Sequence, residues 1–175
     1  KFRGFGGSTG YWDSCLESFT LMAGLAASTE KIGLFPSISI LSQHPAVVAR
    51  MVATIDDISN GRCGLNIVTG WNRPEYAQMG MWPGDEHYQN RYDYAAEYVQ
   101  ILQALWREGR ATWNGDYFQL DDCSVLPVPK RQIPLVCAGA SPAGRQFVAQ
   151  YADHQFVLTS EDKLVGSVAE IRAKA

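Results

Sequence analysis

Residues 45–68, PAVVARMVATIDDISNGRCGLNIV, place a helical pattern directly before a strand pattern. Residues 45–58 repeat apolar side chains at helical spacing, and Pro45 stands in the first turn, where proline is tolerated. Asn60-Gly61 is a turn dipeptide, and residues 62–68 form an apolar run typical of a buried strand. The stretch therefore predicts a helix that turns back into a strand of a covered sheet.

The same alternation continues along the chain. Strand patterns occupy residues 32–41, 62–68, 133–138 and 154–158, and helical patterns occupy residues 14–29, 45–58, 88–108, 142–151 and 161–174. We expect Ser14 to cap the first helix with Glu17 as its capping-box partner, and a hairpin at residues 112–120 around Asn114-Gly115. About four βα units predict an α/β fold with a parallel sheet, either half of a (β/α)8 barrel or a short doubly wound sheet.

Composition narrows the class of protein. With 175 residues, a net charge of −3 and 46% hydrophobic residues, the chain is an ordinary globular sequence, interpreted as one domain over residues 1–175. Mild acidity gives no reason to expect nucleic acid or a membrane as partner. The sequence has no apolar run long enough to span a bilayer and no secretory leader pattern, so we expect a cytoplasmic location. The chain starts at Lys1 without Met and ends in an unfinished helical pattern, so we expect a fragment of a longer protein.

Cysteine and histidine spacing gives no metal site. The four cysteines, Cys15, Cys63, Cys123 and Cys137, are far apart, which favours reduced thiols over zinc or a disulfide framework. His44 lies at a strand end, where an active-site role is open, whereas His87 and His154 are expected to be structural or solvated. No nucleophile elbow of the GxSxG kind is present, so hydrolase chemistry lacks support.

A polar residue interrupts the strand at residues 62–68. Asn66 must find hydrogen-bond partners if it is buried, either from neighbouring backbone or from a ligand, and the two alternatives are about equal. Gly70, just after the strand, permits close approach of a flat ligand to the backbone.

Three further candidates follow in a long loop predicted at residues 69–86 and in the helix predicted at residues 88–108. Glu75 could accept hydrogen bonds from a ligand, although an isolated loop carboxylate is more often solvated. Arg91 could bind a phosphate, with surface ion pairing as the favoured alternative on residue type alone. Tyr92, taken alone, is more often a packing residue than a ligand contact.

Ser141 gives the strongest indication that comes from the residues alone. A strand leads through small residues to Ser141, a natural N-cap, and to Pro142 at the first helical position. An open helix start attracts anions, so a phosphate site and a plain capped helix are about equally favoured.

Short blocks spread along the chain resemble the luciferase-like flavin monooxygenases. The blocks are FGG (5–7), LESFTLMAGL (16–25), VARM (48–51), TID (54–56), NIVTGW (66–71), PEY (74–76), MGMWPGD (79–85), RYDY (91–94) and CAG (137–139) with Ser141. Within that class the chain is most similar to the pyrimidine monooxygenases that open the uracil ring. The resemblance implies a (β/α)8 barrel, present here as a partial barrel.

The resemblance also implies a cofactor and its contacts. Carried over position by position, the residues that match FMN contacts of the family are Lys1, Asn66, Glu75, Arg91, Tyr92 and Ser141. The family implies reduced FMN supplied by an NAD(P)H-dependent flavin reductase, with O₂ oxygenating a small organic substrate such as uracil. No catalytic base is identified, and a homo-oligomer is left open.

Some alternatives stay open. Residues 42–45, SQHP, depart from a more apolar turn in the pyrimidine enzymes, which leaves alkanesulfonate or dimethylsulfone oxygenation as an alternative. An enzyme of the same fold could instead transfer hydride with a deazaflavin. A non-catalytic flavin-binding or truncated protein is the third alternative, because the first and the later barrel strands are not found in the sequence.

Overall fold

The computed structural model describes residues 15–157 and 160–174. The helices are α1 (Ser18–Ser28), α2 (Pro45–Ser59), α3 (Arg73–Ala77), α4 (His87–Glu108), α5 (Pro142–Tyr151) and α6 (Glu161–Arg172). The strands are β1 (Ser37–Ser39), β2 (Leu65–Val68), β3 (Arg110–Asn114), β4 (Gln119–Ser124), β5 (Leu135–Ala138) and β6 (His154–Phe156). In this part of the chain, no helix has the length and apolar character that crossing a membrane requires.

Four parallel strands form the main sheet in the order β1-β2-β5-β6. Ile38 pairs with Ile67, Ile67 with Cys137, and Cys137 with Gln155. The order in the sheet is the order in the chain, so the sheet has no point at which its winding reverses. A doubly wound fold needs such a reversal, whereas a barrel adds each strand beside the one before it.

Burial along the strands shows that the helices cover one face of the sheet. Ile38, Leu65 and Ile67 are at most 3% exposed and pack with the helices in the core. The alternate residues, among them Asn66 and Val136, are only partly buried. A sheet covered on a single side by successive helices is half of a (β/α)8 barrel, which confirms the predicted partial barrel and disfavours the doubly wound alternative.

The start of α1 differs from its prediction. Glu17 is itself the N-cap, because its carboxylate accepts hydrogen bonds from the backbone N–H of Phe19 at 2.9 Å and of Thr20 at 2.6 Å. The predicted cap, Ser14, lies outside the described residues. An acidic side chain suits this position because it satisfies free N–H groups and the positive end of the helix.

The strands of the sheet are shorter than predicted. Residues 32–41 pair as a strand only at Ser37–Ser39, with a single bridge from Leu34 to Cys63. The apolar run is longer than the strand because its flanks also pack into the core: Leu34 and Ile40 are 2% and 1% exposed. Burial, rather than strand pairing, accounts for the length of the run.

The hairpin β3-β4 lies beside α4 and is longer than predicted. It is joined through residues 115–118, not through a two-residue Asn114-Gly115 turn. Glu97 of α4 explains the wider loop, because its carboxylate accepts hydrogen bonds from Trp113 Nε1 at 3.0 Å and from the Phe118 N–H at 2.9 Å. The loop wraps around this carboxylate and anchors the hairpin to the helix.

Arg62, directly after the α2 turn, ties three segments together. Its guanidinium donates to the carbonyls of Ala26, Thr29, Ile32 and Ser59 at 2.7–3.0 Å. These carbonyls belong to the end of α1, the segment before β1 and the end of α2. One cation thereby fixes the first helix against the second βα unit.

We predict that Arg62→Ala lowers the free energy of unfolding by about 3 kcal/mol, because four carbonyls lose a charged donor. Arg62→Lys should retain about half of that stability, since an ammonium group cannot reach all of them. Urea unfolding followed by circular dichroism measures both. Arg107→Ala is the control: Arg107 is exposed and pairs with Glu108, so its loss should cost under about 0.5 kcal/mol. Equal effects of Arg62→Ala and Arg107→Ala would contradict the tie.

Candidate functional site

Ser141 occupies the predicted N-cap position of α5, at the edge of the sheet where the parallel strands end. Its Oγ accepts a hydrogen bond from the Gly144 N–H at 3.1 Å, and Pro142 fills the first helical position. The capping prediction is thus confirmed. The helix start carries a partial positive charge from its aligned peptide groups, which suits an anion.

Tyr92 reaches from α4 to this same helix start. Its ring lies 5.7 Å from that of Phe147, and its hydroxyl lies beside Gly144, so closely that a Cβ on Gly144 would collide with it. A Cβ on Gly144 would also meet Gly139 Cα at 2.8 Å. The two glycines are required here, because any side chain would close the space between the strand end, the helix start and the tyrosine.

Arg91 lies next to Tyr92 on α4. Its guanidinium carbon is 4.0 Å from the centre of the Tyr88 ring and 4.7 Å from that of Tyr92, and it donates to the Tyr88 carbonyl. It pairs with no carboxylate of the described residues, so the surface ion-pair alternative finds no support there. Stacking on two rings leaves the positive charge available to an anion.

Asn66, on β2, belongs to a second group of polar residues on the open face of the sheet. Its Nδ2 donates to Ser37 Oγ at 2.9 Å. Its Oδ1 is buried and has no hydrogen-bond partner among residues 15–157 and 160–174. An unpaired buried acceptor is costly, so a donor from a ligand would fit at this position.

Two residues on elements next to β2, Tyr76 and Ser39, were not among the site residues predicted from the sequence. The hydroxyl of Tyr76, on α3, bonds to Ser39 Oγ on β1, although Tyr76 is only 1% exposed. Burial raises the pKa of Tyr76, the bond to Ser39 opposes this, and the charge of Glu75 adds to it. The tyrosine is therefore neutral, and its hydrogen bond with Ser39 links α3 to the end of β1. The sequence feature that could have indicated this pair is the serine at alternate positions of β1, Ser37 and Ser39.

Glu75 lies in the first turn of α3 and is partly buried. Its Oε1 accepts a hydrogen bond from Asn72 Nδ2 at 2.9 Å. The carboxylate is therefore not fully solvated, and its second oxygen can accept a further hydrogen bond. Lys1, the remaining residue of the predicted set, lies outside the described residues.

Two of the three histidines, His44 and His87, make different structural contacts. His44 caps α2, with Nδ1 accepting from the Ala46 N–H at 3.2 Å, and its ring meets Phe118 edge-on at 5.6 Å. Burial lowers the pKa of His44 below 6.5. The active-site role left open for His44 gains no support from these contacts. His87, in contrast, approaches the turn after β2, with Nε2 3.3 Å from the Thr69 carbonyl oxygen.

The structure brings the predicted residues to one edge of the sheet in two groups. Tyr92 and Ser141 meet at the start of α5, with Arg91 stacked on Tyr92, and Asn66 and Glu75 lie on and shortly after β2. α4 connects the groups, because its first residue contacts Thr69 and its sixth contacts Gly144. The described His, Cys, Asp and Glu side chains form no group of three or more that could hold a metal ion.

We predict opposite effects of one substitution at two helical glycines. Gly24→Ala, in α1 with nothing near its Cβ, should stabilise the protein by about 0.5–1 kcal/mol through helix propensity. Gly144→Ala should destabilise it by about 1–3 kcal/mol, because the new methyl group displaces Tyr92. Urea unfolding measures both.

Tyr92→Phe in the Gly144→Ala background should recover part of the loss, since it removes the colliding hydroxyl. If Gly144→Ala stabilises the protein as Gly24→Ala does, Tyr92 does not approach the start of α5 as described.

Comparison with known proteins is consistent with this geometry. Residues 4–175 match the family model described as luciferase-like monooxygenase. The chain is 58% identical over 156 residues to pyrimidine monooxygenase RutA of Serratia proteamaculans, a match that covers 89% of this chain and 43% of the relative. The chain thus spans less than half the length of this relative.

Two solved structures have the same fold. Riboflavin lyase (RcaE), crystallised with modified FMN and substrate riboflavin, superposes with a TM-score of 0.82 at 28% identity over 92% of this chain and 41% of its own. An F420-dependent secondary alcohol dehydrogenase in complex with an F420-acetone adduct gives a TM-score of 0.78 at 26% identity, covering 93% of this chain and 51% of its own. From the sheet order, the site and the family match together, the chain belongs to the luciferase-like monooxygenase family.

Proposed function

We propose that the protein is an FMN-dependent monooxygenase that uses reduced flavin and O₂ to oxygenate a small organic substrate, a pyrimidine such as uracil. The observation that carries the cofactor proposal is the contact of Tyr92 with the glycine-lined start of α5, where Ser141 is the cap. The 58% identity to a pyrimidine monooxygenase supports the substrate class.

The start of α5 would hold the FMN phosphate. Ser141 Oγ and the Tyr92 hydroxyl can each donate to a phosphate oxygen, and the helix dipole favours the negative charge. Arg91, one residue before Tyr92, adds a positive charge. Gly139 and Gly144 keep the space open, because neither carries a side chain.

The end of β2 would hold the isoalloxazine. The unpaired Asn66 Oδ1 can accept a hydrogen bond from a ring N–H, and the Thr69-Gly70 turn directly follows β2, which ends at Val68. Glu75 has an oxygen to spare for a further N–H or O–H. The proposal also includes Lys1 as a contact of the same cofactor, as the family resemblance implies.

Bound reduced FMN supplies the reaction with O₂, and the polypeptide contributes binding, orientation and exclusion of water. The proposal includes an NAD(P)H-dependent flavin reductase as the source of reduced FMN and a cytoplasmic location, where NAD(P)H is available. Neither nucleic acid nor a membrane is proposed as a partner.

A second candidate function is hydride transfer with a deazaflavin. The similarity to an F420-dependent secondary alcohol dehydrogenase favours it, since that protein shares the fold at 26% identity. The higher identity to the pyrimidine monooxygenase ranks oxygenation first.

We predict that Ser141→Ala and Tyr92→Phe each weaken FMN binding about 10- to 100-fold, because a charged acceptor loses one donor. Riboflavin, which lacks the phosphate, should bind these variants within about twofold of the unmodified protein. Fluorescence titration of the full-length protein with each flavin gives both affinities.

The matched controls are Ser124→Ala and Tyr117→Phe, which remove the same atoms on or beside the hairpin, and both should leave FMN affinity unchanged. Equal weakening of FMN and riboflavin by Ser141→Ala would place the phosphate elsewhere. A full-length protein that binds no flavin would overturn the proposed function.

We predict that the full-length protein, given FMN, a flavin reductase and NADH, consumes uracil together with O₂ and leaves small alkanesulfonates unchanged. Chromatography of the substrates and an oxygen electrode measure the reaction, with free FMN and reductase alone as the control. Consumption of a sulfonate but not of uracil would contradict the pyrimidine substrate class and favour the alkanesulfonate alternative. Substrate turnover with reduced deazaflavin and without O₂ uptake would favour the second candidate.

A further inference from the structure

His87, the first residue of α4, is a buried histidine that the proposed cofactor contacts do not include. It is 8% exposed, and its ring lies between those of Trp82 and Tyr94, with ring centres 5.6 Å away on each side and nearly perpendicular planes. Two edge-on contacts hold the imidazole in one orientation. Its Nε2 is 3.3 Å from the Thr69 carbonyl oxygen.

The hydrogen bond defines the state of the ring. A carbonyl oxygen can only accept, so Nε2 carries the proton and donates. Burial lowers the pKa of His87 below 6.5; bonds to the Thr69 and Gly70 backbone oppose this, and the charge of Arg91 adds to it. At neutral pH the ring is therefore neutral and acts as a fixed donor to the turn after β2.

Tyr76 packs against the same turn that His87 contacts. Gly70 has a φ of +75°, and a Cβ there would meet Leu41 at 2.8 Å and the Tyr76 hydroxyl at 3.3 Å. Tyr76 in turn bonds to Ser39 on β1. The turn thus has a support on the β1 side and, through His87, a support on α4.

α4 also carries the residues of the phosphate end. Tyr92, five positions after His87, contacts the start of α5, and Arg91 stacks on Tyr92. A helix of this length is stiff, so the hydrogen bond from His87 fixes the turn at a set distance from the start of α5. Without that bond, the turn would lose its support from α4.

We infer that His87 is a positioning residue that holds the Thr69-Gly70 turn against the flavin ring through its hydrogen bond to the Thr69 carbonyl. The inference rests on the proposed function, because it assigns the ring end of the FMN site to this turn. His87 does not touch the cofactor; it acts through the backbone of Thr69.

The test compares His87→Phe with His87→Gln in the full-length protein. Phenylalanine keeps a ring between Trp82 and Tyr94 but removes the donor, whereas the glutamine Nε2 can donate from nearly the same place as the histidine Nε2. His87→Phe should weaken both FMN and riboflavin about tenfold, by the same factor, and change the visible circular dichroism of the bound flavin. His87→Gln should restore most of the affinity and the spectrum.

His44→Phe is the matched control. His44 is also a partly desolvated histidine that packs edge-on against an aromatic ring, but it caps α2. This variant should lower the urea midpoint and leave flavin affinity and circular dichroism unchanged.

Each other outcome decides the question. Unchanged flavin affinity and spectrum in His87→Phe, or weakening of FMN alone, would overturn the inference. Equal losses in His87→Phe and His87→Gln would also overturn it, because packing and not the hydrogen bond would then be responsible. Unmodified protein that binds neither flavin would overturn the proposed function itself, a result that differs from all of these.

Discussion

The parallel register of β1, β2, β5 and β6 is the constraint on which the site depends. Because the strands run in one direction, the segments that follow them all leave from one edge of the sheet. Residues that are far apart in the chain, such as Asn66 and Ser141, reach that edge from adjacent strands. The register also puts Ser37 directly beside Asn66, where the two side chains bond.

α4 gives the edge of the sheet its second fixed component. It contacts the turn after β2 through His87 and the start of α5 through Tyr92. One rigid helix therefore positions both ends of the candidate cofactor site. Glu97, further along the same helix, anchors the β3-β4 hairpin. The helix that orients the site is therefore itself held by structure outside the site.

The sequence alone predicted the features that depend on local rules. The alternation of strands and helices, the cap at Ser141 and the turn at Asn60-Gly61 follow from spacing and residue type, and the structure confirms them. The barrel could be predicted only with the family resemblance. Hydrophobic periodicity alone cannot distinguish a barrel, in which each strand is added beside the previous one, from a doubly wound sheet, in which the strand order reverses.

The parts that were missed depend on contacts between distant segments. Tyr76 and His87 gain their roles from Ser39 and Thr69, 37 and 18 residues away, and nothing in their neighbourhood in the chain indicates those partners. α3 was predicted as loop, since five residues between glycines and prolines carry no clear period. The predicted N-cap of α1, Ser14, was wrong because the carboxylate of Glu17, three residues further on, accepts the hydrogen bonds of the helix start.

The most direct measurement is a crystal structure of the full-length protein with bound FMN. We expect a phosphate oxygen about 3 Å from Ser141 Oγ and from the Tyr92 hydroxyl, with the isoalloxazine against the Thr69-Gly70 turn and a ring N–H directed at Asn66 Oδ1. An FMN phosphate bound away from the start of α5, with Tyr92 still closing that space, would contradict the assignment of this edge of the sheet as the cofactor site.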